Sequence, residues 1–158
     1  MIQRVQTIFL FLVAVAMGIT LSMEIWHQVI PDSGESFSLT ALFLEKYDSS
    51  GEELLSESKW YIAALASFVG FLAIISIFQF RNRGRQMMLN MVNSLVMVGL
   101  VATIFITTNG INSELSLSQS GDYKIGFWVV LAAMVCNMLA NRFIRKDEAL
   151  VRSVDRIR

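Results

Sequence analysis

The sequence predicts an all-α membrane protein, an antiparallel bundle of four transmembrane helices forming one domain over residues 1–158. Three observations carry this. Apolar residues make up 54% of the chain and charged residues only 16%, whereas soluble domains carry about a quarter charged residues. The charges cluster between uncharged runs of bilayer-crossing length, and the mean hydropathy is +0.55. The turn Arg81-Asn82-Arg83-Gly84-Arg85 holds no acid and separates two such runs, Trp60 to Phe80 and Met87 to Thr108. A short cationic turn in that position reads as a helical hairpin bent on the cytoplasmic side.

Net charge is zero, but its distribution sets an orientation. Segments 1–5, 81–86 and 141–158 carry ten basic residues, every arginine among them, against Asp147, Glu148 and Asp155. Segments 24–59 and 109–124 carry Lys46, Lys59 and Lys124 against ten acids. Lys and Arg are retained on the cytoplasmic side, so both termini are expected there, with the chain crossing the membrane four times. The single cysteine, Cys136, cannot form an intrachain disulfide, which excludes thiol–disulfide chemistry based on cysteine pairs.

The first span is expected over 5–23. A cleaved signal peptide ending near Ala14-Val15-Ala16 is the rival reading, but the apolar run continues well past that site. Gly18, Thr20 and Ser22 are small enough to admit a neighbouring helix. The larger outer loop, 24–59, places Trp26 at the interface and contains two turn signals, Pro31-Asp32-Ser33-Gly34 and Asp48-Ser49-Ser50-Gly51. Alternation in Phe37 to Leu42 predicts a short strand, with Trp26 to Ile30 as its hairpin partner. Glu114 to Ser118 also alternates, so a small β-hairpin or sheet would cap the bundle outside. Glu52-Glu53 onward reads as a helix entering the second span.

The second span, 60–80, opens on Trp60 and Tyr61 and carries a small-residue stripe at Ala63, Ala66, Ser67 and Gly70. The third is expected over 87–108 and is followed by the outer loop 109–124. The fourth, 125–142, opens near Trp128 and borrows from Asn141 onward to reach the inner surface. In the tail, 143–158, Phe143, Leu150, Val154 and Ile157 share a helical face opposite Arg145, Arg152 and Arg156. Such a helix either lies on an anionic leaflet or continues the fourth span into solvent.

No Asp, Glu, Lys, Arg or His falls inside a predicted span short of Arg142 at the inner end of the fourth, which argues against a proton relay or ion pump. What remains at depth is neutral. Asn90 and Asn93, Asn137 and Asn141, Gln6 and Gln79 bring amides from all four helices to one layer near the cytoplasmic side. That layer is either interhelical hydrogen-bond glue or a polar pocket for a headgroup or small solute. Arg81, Arg83, Arg85, Arg145, Arg152 and Arg156 fix topology and contact anionic lipid. The methionine pairs Met87/Met91 and Met134/Met138 read as core filler rather than a copper site. His27 stands alone, and no nucleophile triad, zinc motif or phosphate loop accompanies it.

The opening Met1-Ile2-Gln3-Arg4-Val5-Gln6-Thr7-Ile8, the arginine turn, and the tail from Ala140 to Glu148 with Val151 to Arg156 resemble an uncharacterised family of short bacterial four-span membrane proteins, known as a domain of unknown function. The resemblance covers essentially the whole chain. It implies the inner membrane of a Gram-negative bacterium and assigns no catalytic residue. The expected function is non-enzymatic and cofactor-free: an accessory or scaffolding subunit of a larger membrane complex, or a homo-oligomer, in contact with membrane lipids and not with nucleic acid. The alternative is a lipid- or small-solute-binding, transporter-like protein using the amide layer. A membrane enzyme working near His27 at the outer face ranks third.

Overall fold

A computed structural model describes residues 5–31, 33–80, 82–115 and 121–155, with side chains described up to Ser113 in the third helix and Ala149 in the fourth. Within it lie four helices: α1 (Val5–Ser22), α2 (Trp60–Phe78), α3 (Arg83–Leu115) and α4 (Ile125–Asp155). All four are long and apolar enough to cross a membrane, which fits a multi-pass membrane protein. Each buries a single stripe at alternating spacings of four and three residues. The stripes run Gln6, Leu10, Val13, Met17, Thr20 on α1 and Ile62, Ala66, Val69, Ala73, Ser76 on α2. On α3 the stripe is Gln86, Asn90, Asn93, Met97, Leu100, Ile104; on α4 it is Val130, Ala133, Asn137, Ala140, Ile144. A 3.5-residue period is the seam of a left-handed bundle. Apolar side chains such as Phe11, Phe71 and Leu95 cover the opposite, exposed faces. Burial therefore does not follow an apolar–polar contrast, as it would in a soluble amphipathic helix.

The helices form a ring. α1 packs between α2 and α4, and α3 closes the ring against the same two. Small residues set the α1–α2 approach: Ala63, Ala66 and Gly70 are buried, and the position of a Cβ on Gly70 would lie 3.4 Å from Met17. Ser67, the fourth member of the predicted stripe, is exposed.

Between α1 and α2, and again before α4, the chain builds an antiparallel sheet of strands β1 (Trp26–Val29), β2 (Ser36–Leu39), β3 (Phe43–Tyr47), β4 (Glu53–Ser58) and β5 (Asp122–Tyr123), ordered β4-β3-β2-β1-β5. The β1–β2 hairpin has the predicted partners, with Trp26 opposite Leu39 and Val29 opposite Ser36. The second hairpin turns at Asp48-Ser49-Ser50-Gly51: Gly51 N–H donates to the Asp48 carbonyl at 2.9 Å, and Gly51 holds φ +83°, a backbone conformation suited to glycine. One face of the sheet, carrying Trp26, Phe37, Leu39 and Leu44, is buried in the same core cluster as Ile62, Ile104, Ile111 and Phe127.

The small sheet expected beside the helical bundle is present, with five strands among the described residues. Residues 53–58 form strand β4 rather than the expected helix, because pairing with β3 decides a segment whose own pattern is ambiguous. Glu114 and Leu115 belong to α3 and do not start a strand, and β5 takes that edge; 116–118 lie outside the described residues. Trp26 is 1% exposed beneath the sheet and not at an interface, whereas Trp60 and Trp128 are exposed near the starts of α2 and α4. The segment after the fourth span continues α4 without a break to Asp155.

Candidate functional site

Six of the nine buried polar side chains among the described residues gather toward the arginine-turn end, and the local sequence explains how they are held there. α2 ends at Phe78, and Asn82 starts α3 by accepting the Arg85 backbone N–H on its side-chain Oδ1 at 3.2 Å. This break fixes the phase of α3, so Gln86, Asn90 and Asn93 fall on its seam. Gly84, expected at the break, lies inside the first turn of α3.

From there a hydrogen-bonded network crosses the bundle. Gln6 of α1 donates to Gln86 Oε1 at 3.4 Å, and Gln86 Nε2 donates to the Ser76 carbonyl of α2 at 3.0 Å. Ser76 Oγ donates to Asn90 Oδ1 at 3.0 Å. Asn137 of α4 donates through Nδ2 to Ser94 Oγ at 2.8 Å and to the Asn90 carbonyl at 3.3 Å, and accepts from Asn93 Nδ2 at 3.4 Å. Gln6, Ser76, Gln86, Asn90, Asn93 and Asn137 are each no more than 3% exposed. Two amide atoms, Asn90 Nδ2 and Asn93 Oδ1, are buried with no hydrogen-bond partner among the described residues. Interhelical bonds of this kind contribute about 0.6 kcal/mol each in a bilayer, so the network locks the register of all four helices more than it drives their association.

Four of the six amides expected in one layer are therefore brought together: Gln6, Asn90, Asn93 and Asn137. Gln79 lies past the end of α2, only half-buried, and Ser76 supplies that helix's contribution instead. Asn141 sits half-buried farther along α4, in a surface cleft with Met138, Arg142 and Arg145. Ser76, Gln86 and Ser94 were not anticipated. The first two occupy seam positions in the 3.5-residue pattern, a signal present in the sequence.

The arginines divide. Arg83 spans from the turn to α4, donating from Nη1 to the Asp147 carbonyl at 2.6 Å and pairing through Nη2 with Asp147 Oδ2 at 3.2 Å. Phe9 stacks on Phe143 with centroids 5.6 Å apart, tying α1 to the same part of α4. Arg85 and Arg145 are exposed. Arg81, Arg156 and the Arg152 side chain lie outside the described residues.

The sheet end has a different chemistry. His27 Nδ1 lies 2.8 Å from Glu24 Oε1, Lys46 pairs with Glu35 at 2.8 Å, and Lys59 pairs with Glu57 at 2.9 Å. Tyr47 donates to Glu45 Oε2 at 2.7 Å, and that hydrogen bond, with the desolvation and the negative charge around it, pushes the phenol up to about 12. Among the described residues, His, Cys, Asp and Glu form no group of three or more able to hold a metal ion.

No curated protein matches this chain in sequence. A family model does, from residue 2 to residue 157: the chain belongs to the family described as Domain of unknown function (DUF4293).

Proposed function

We propose that this protein is a non-enzymatic accessory subunit of a larger bacterial inner-membrane complex, with both termini cytoplasmic and the sheet outside. The observation that carries this is strand β4. It is the edge of the sheet among the described strands, and all six of its residues are exposed, Leu54 and Leu55 among them. An edge of that length presents a row of backbone donors and acceptors that a partner strand completes. Glu53 and Glu57 flank the two leucines, so the complementary segment is extended, apolar at its centre and basic at its ends. The bundle's internal polar groups are largely spent on one another, which leaves the exterior as the working surface. Extraction in a gentle detergent should recover a stoichiometric partner, and Ser56→Pro, which removes a ladder donor, should release it. Recovery of this chain alone, or as a plain homo-oligomer, overturns the proposal.

The second reading, a lipid- or small-solute-binding protein using the amide layer, is favoured by Asn90 Nδ2 and Asn93 Oδ1, a buried donor and acceptor without partners one helical turn apart. Replacing Asn90 and Asn137 together by leucine separates the two readings. An intact fold with lost function favours a pocket, and lost yield favours glue.

A further inference from the structure

The inner face of the sheet changes character from one side to the other. Its cross-strand rows read Trp26–Leu39–Leu44–Glu57 and Gln28–Phe37–Lys46–Leu55. On β1 and β2 these side chains are buried against the bundle. On β3 and β4 the face turns to Lys46, Leu55 and Glu57, and the bundle does not fill the space beneath. A cleft of about 430 Å³ remains between the overhanging hairpin and the outer part of α3. That volume falls within the range of small-ligand sites.

The cleft has two kinds of wall. Phe37, Leu44 and Leu55 of the sheet face Ile106 and Ile111 of α3 across it. Ile106 is 73% exposed on the side of the bundle, so the apolar part opens where acyl chains would lie. Three charged side chains, Lys46, Lys59 and Glu57, line the rest. Tyr61, its hydroxyl 3.2 Å from Thr107 Oγ1, joins α2 to α3 along the lining. Exposed Trp60, at the first position of α2, marks this level as the headgroup zone of a bilayer, where indole rings are favoured.

Both charge signs beside an acyl-sized apolar surface at headgroup depth fit one class of molecule. We propose that the cleft holds one zwitterionic phospholipid, its phosphate on Lys46 and Lys59, its amine on Glu57, and its first acyl methylenes along Ile106 and Leu55. The proposal rests on the membrane-spanning reading, and it shares Leu55 and Glu57 with the proposed docking edge, so its test reads the bound lipid directly on the protein free of any partner. The ion pairs Lys46–Glu35 and Lys59–Glu57 are partly exposed and open to exchange with a headgroup of matching charges.

Native mass spectrometry of the full-length detergent-solubilised protein tests it, with phosphatidylethanolamine, phosphatidylglycerol and palmitate as separate probes. One phosphatidylethanolamine should be retained in preference to the other two. Leu55→Trp, at an exposed edge position that tolerates bulk, should reduce that adduct about tenfold by filling the cleft. Glu57→Lys makes the charged lining wholly cationic and should shift the preference toward phosphatidylglycerol by about fivefold. An equal-sized control on the exposed face of α2, Ile74→Trp, should change neither. Retention indifferent to headgroup, an adduct unaffected by Leu55→Trp, or equal loss in the Ile74→Trp control would each overturn the proposal.

Discussion

The two ends of the bundle handle polar groups in opposite ways. At the arginine-turn end the groups inside the bundle are neutral, buried and bonded from helix to helix, Gln6 to Gln86, Ser76 to Asn90, Asn93 to Asn137, and the charged pair Arg83–Asp147 stays at the rim. At the sheet end the ion pairs Lys46–Glu35 and Lys59–Glu57 and the Tyr47–Glu45 bond stay partly exposed around the sheet, beside the buried neutral side chains of Thr20, Gln28 and Thr108. The physical reason is the cost of burial. An amide can be satisfied among helices at modest cost, whereas a buried ion must be fully paired. The first end is built for fixed geometry, and the second keeps its charges where another molecule can reach them.

The contrast is broken most severely at the joint between bundle and sheet. Gly126 N–H donates to the Glu24 carbonyl at 2.9 Å, and a Cβ on Gly126 would stand 2.7 Å from that oxygen. Both partners are backbone, so neither yields easily. Gly126→Val should therefore cost about 3 kcal/mol, seen as a collapse in yield or a large fall in the thermal unfolding midpoint in detergent. Next comes the amide lock. Asn137→Ala removes three hydrogen bonds, for an expected loss of about 2 kcal/mol in denaturant unfolding. A zero or favourable change would show that the network gives register and not stability. Smaller again is Arg83→Ala. Arg83 and Asp147 are 27% and 42% exposed, so the loss should be about 1 kcal/mol, with faster amide exchange in α4 beyond Asn141 as its local signature.

The smallest effect sharpens the contrast at the sheet end. The Tyr47 phenol, ordinarily near 10, is raised to about 12 chiefly by its hydrogen bond to Glu45. A raised acid is favoured neutral in the folded state. Its contribution is whole below pH 10 and is lost as pH climbs through about 12. Phenolate absorbance, with Tyr47→Phe as the subtracted reference, should place the titration near 12, and Glu45→Gln should bring it back toward 10.

How much of this was written in the chain can be judged residue by residue. The four helices were legible because apolar runs of that length have few other fates. The β1–β2 hairpin was legible from alternation around Pro31-Asp32-Ser33-Gly34. Strand β4 was not, since Glu-Leu-Leu-Ser-Glu-Ser has no clean period and only β3 makes it extended. Trp26 misled because tryptophan is common at interfaces, yet the sheet folds over it. In the amide layer, Gln79 was favoured over Ser76 by residue type. The seam chose Ser76, because α2 stops at Phe78 and leaves Gln79 beyond its end. Apart from the small residues of α2, the buried stripes could not be told by composition, because the exposed face of a helix suited to lipid is as apolar as its core; only their 3.5-residue spacing marks them.

Among the described residues the helices come in two lengths. α1 and α2 have 18 and 19 residues, about 27–29 Å at the helical rise, while α3 and α4 have 33 and 31, about 46–50 Å. The short pair is a ruler matched to the thickness of a bilayer's hydrocarbon core, about 30 Å. The long pair overshoots at opposite ends, α3 beneath the sheet and α4 past the arginine turn. Each overshoot is an unbroken continuation of the helix within the bundle, so the stretch beyond the short pair inherits that helix's direction at either end.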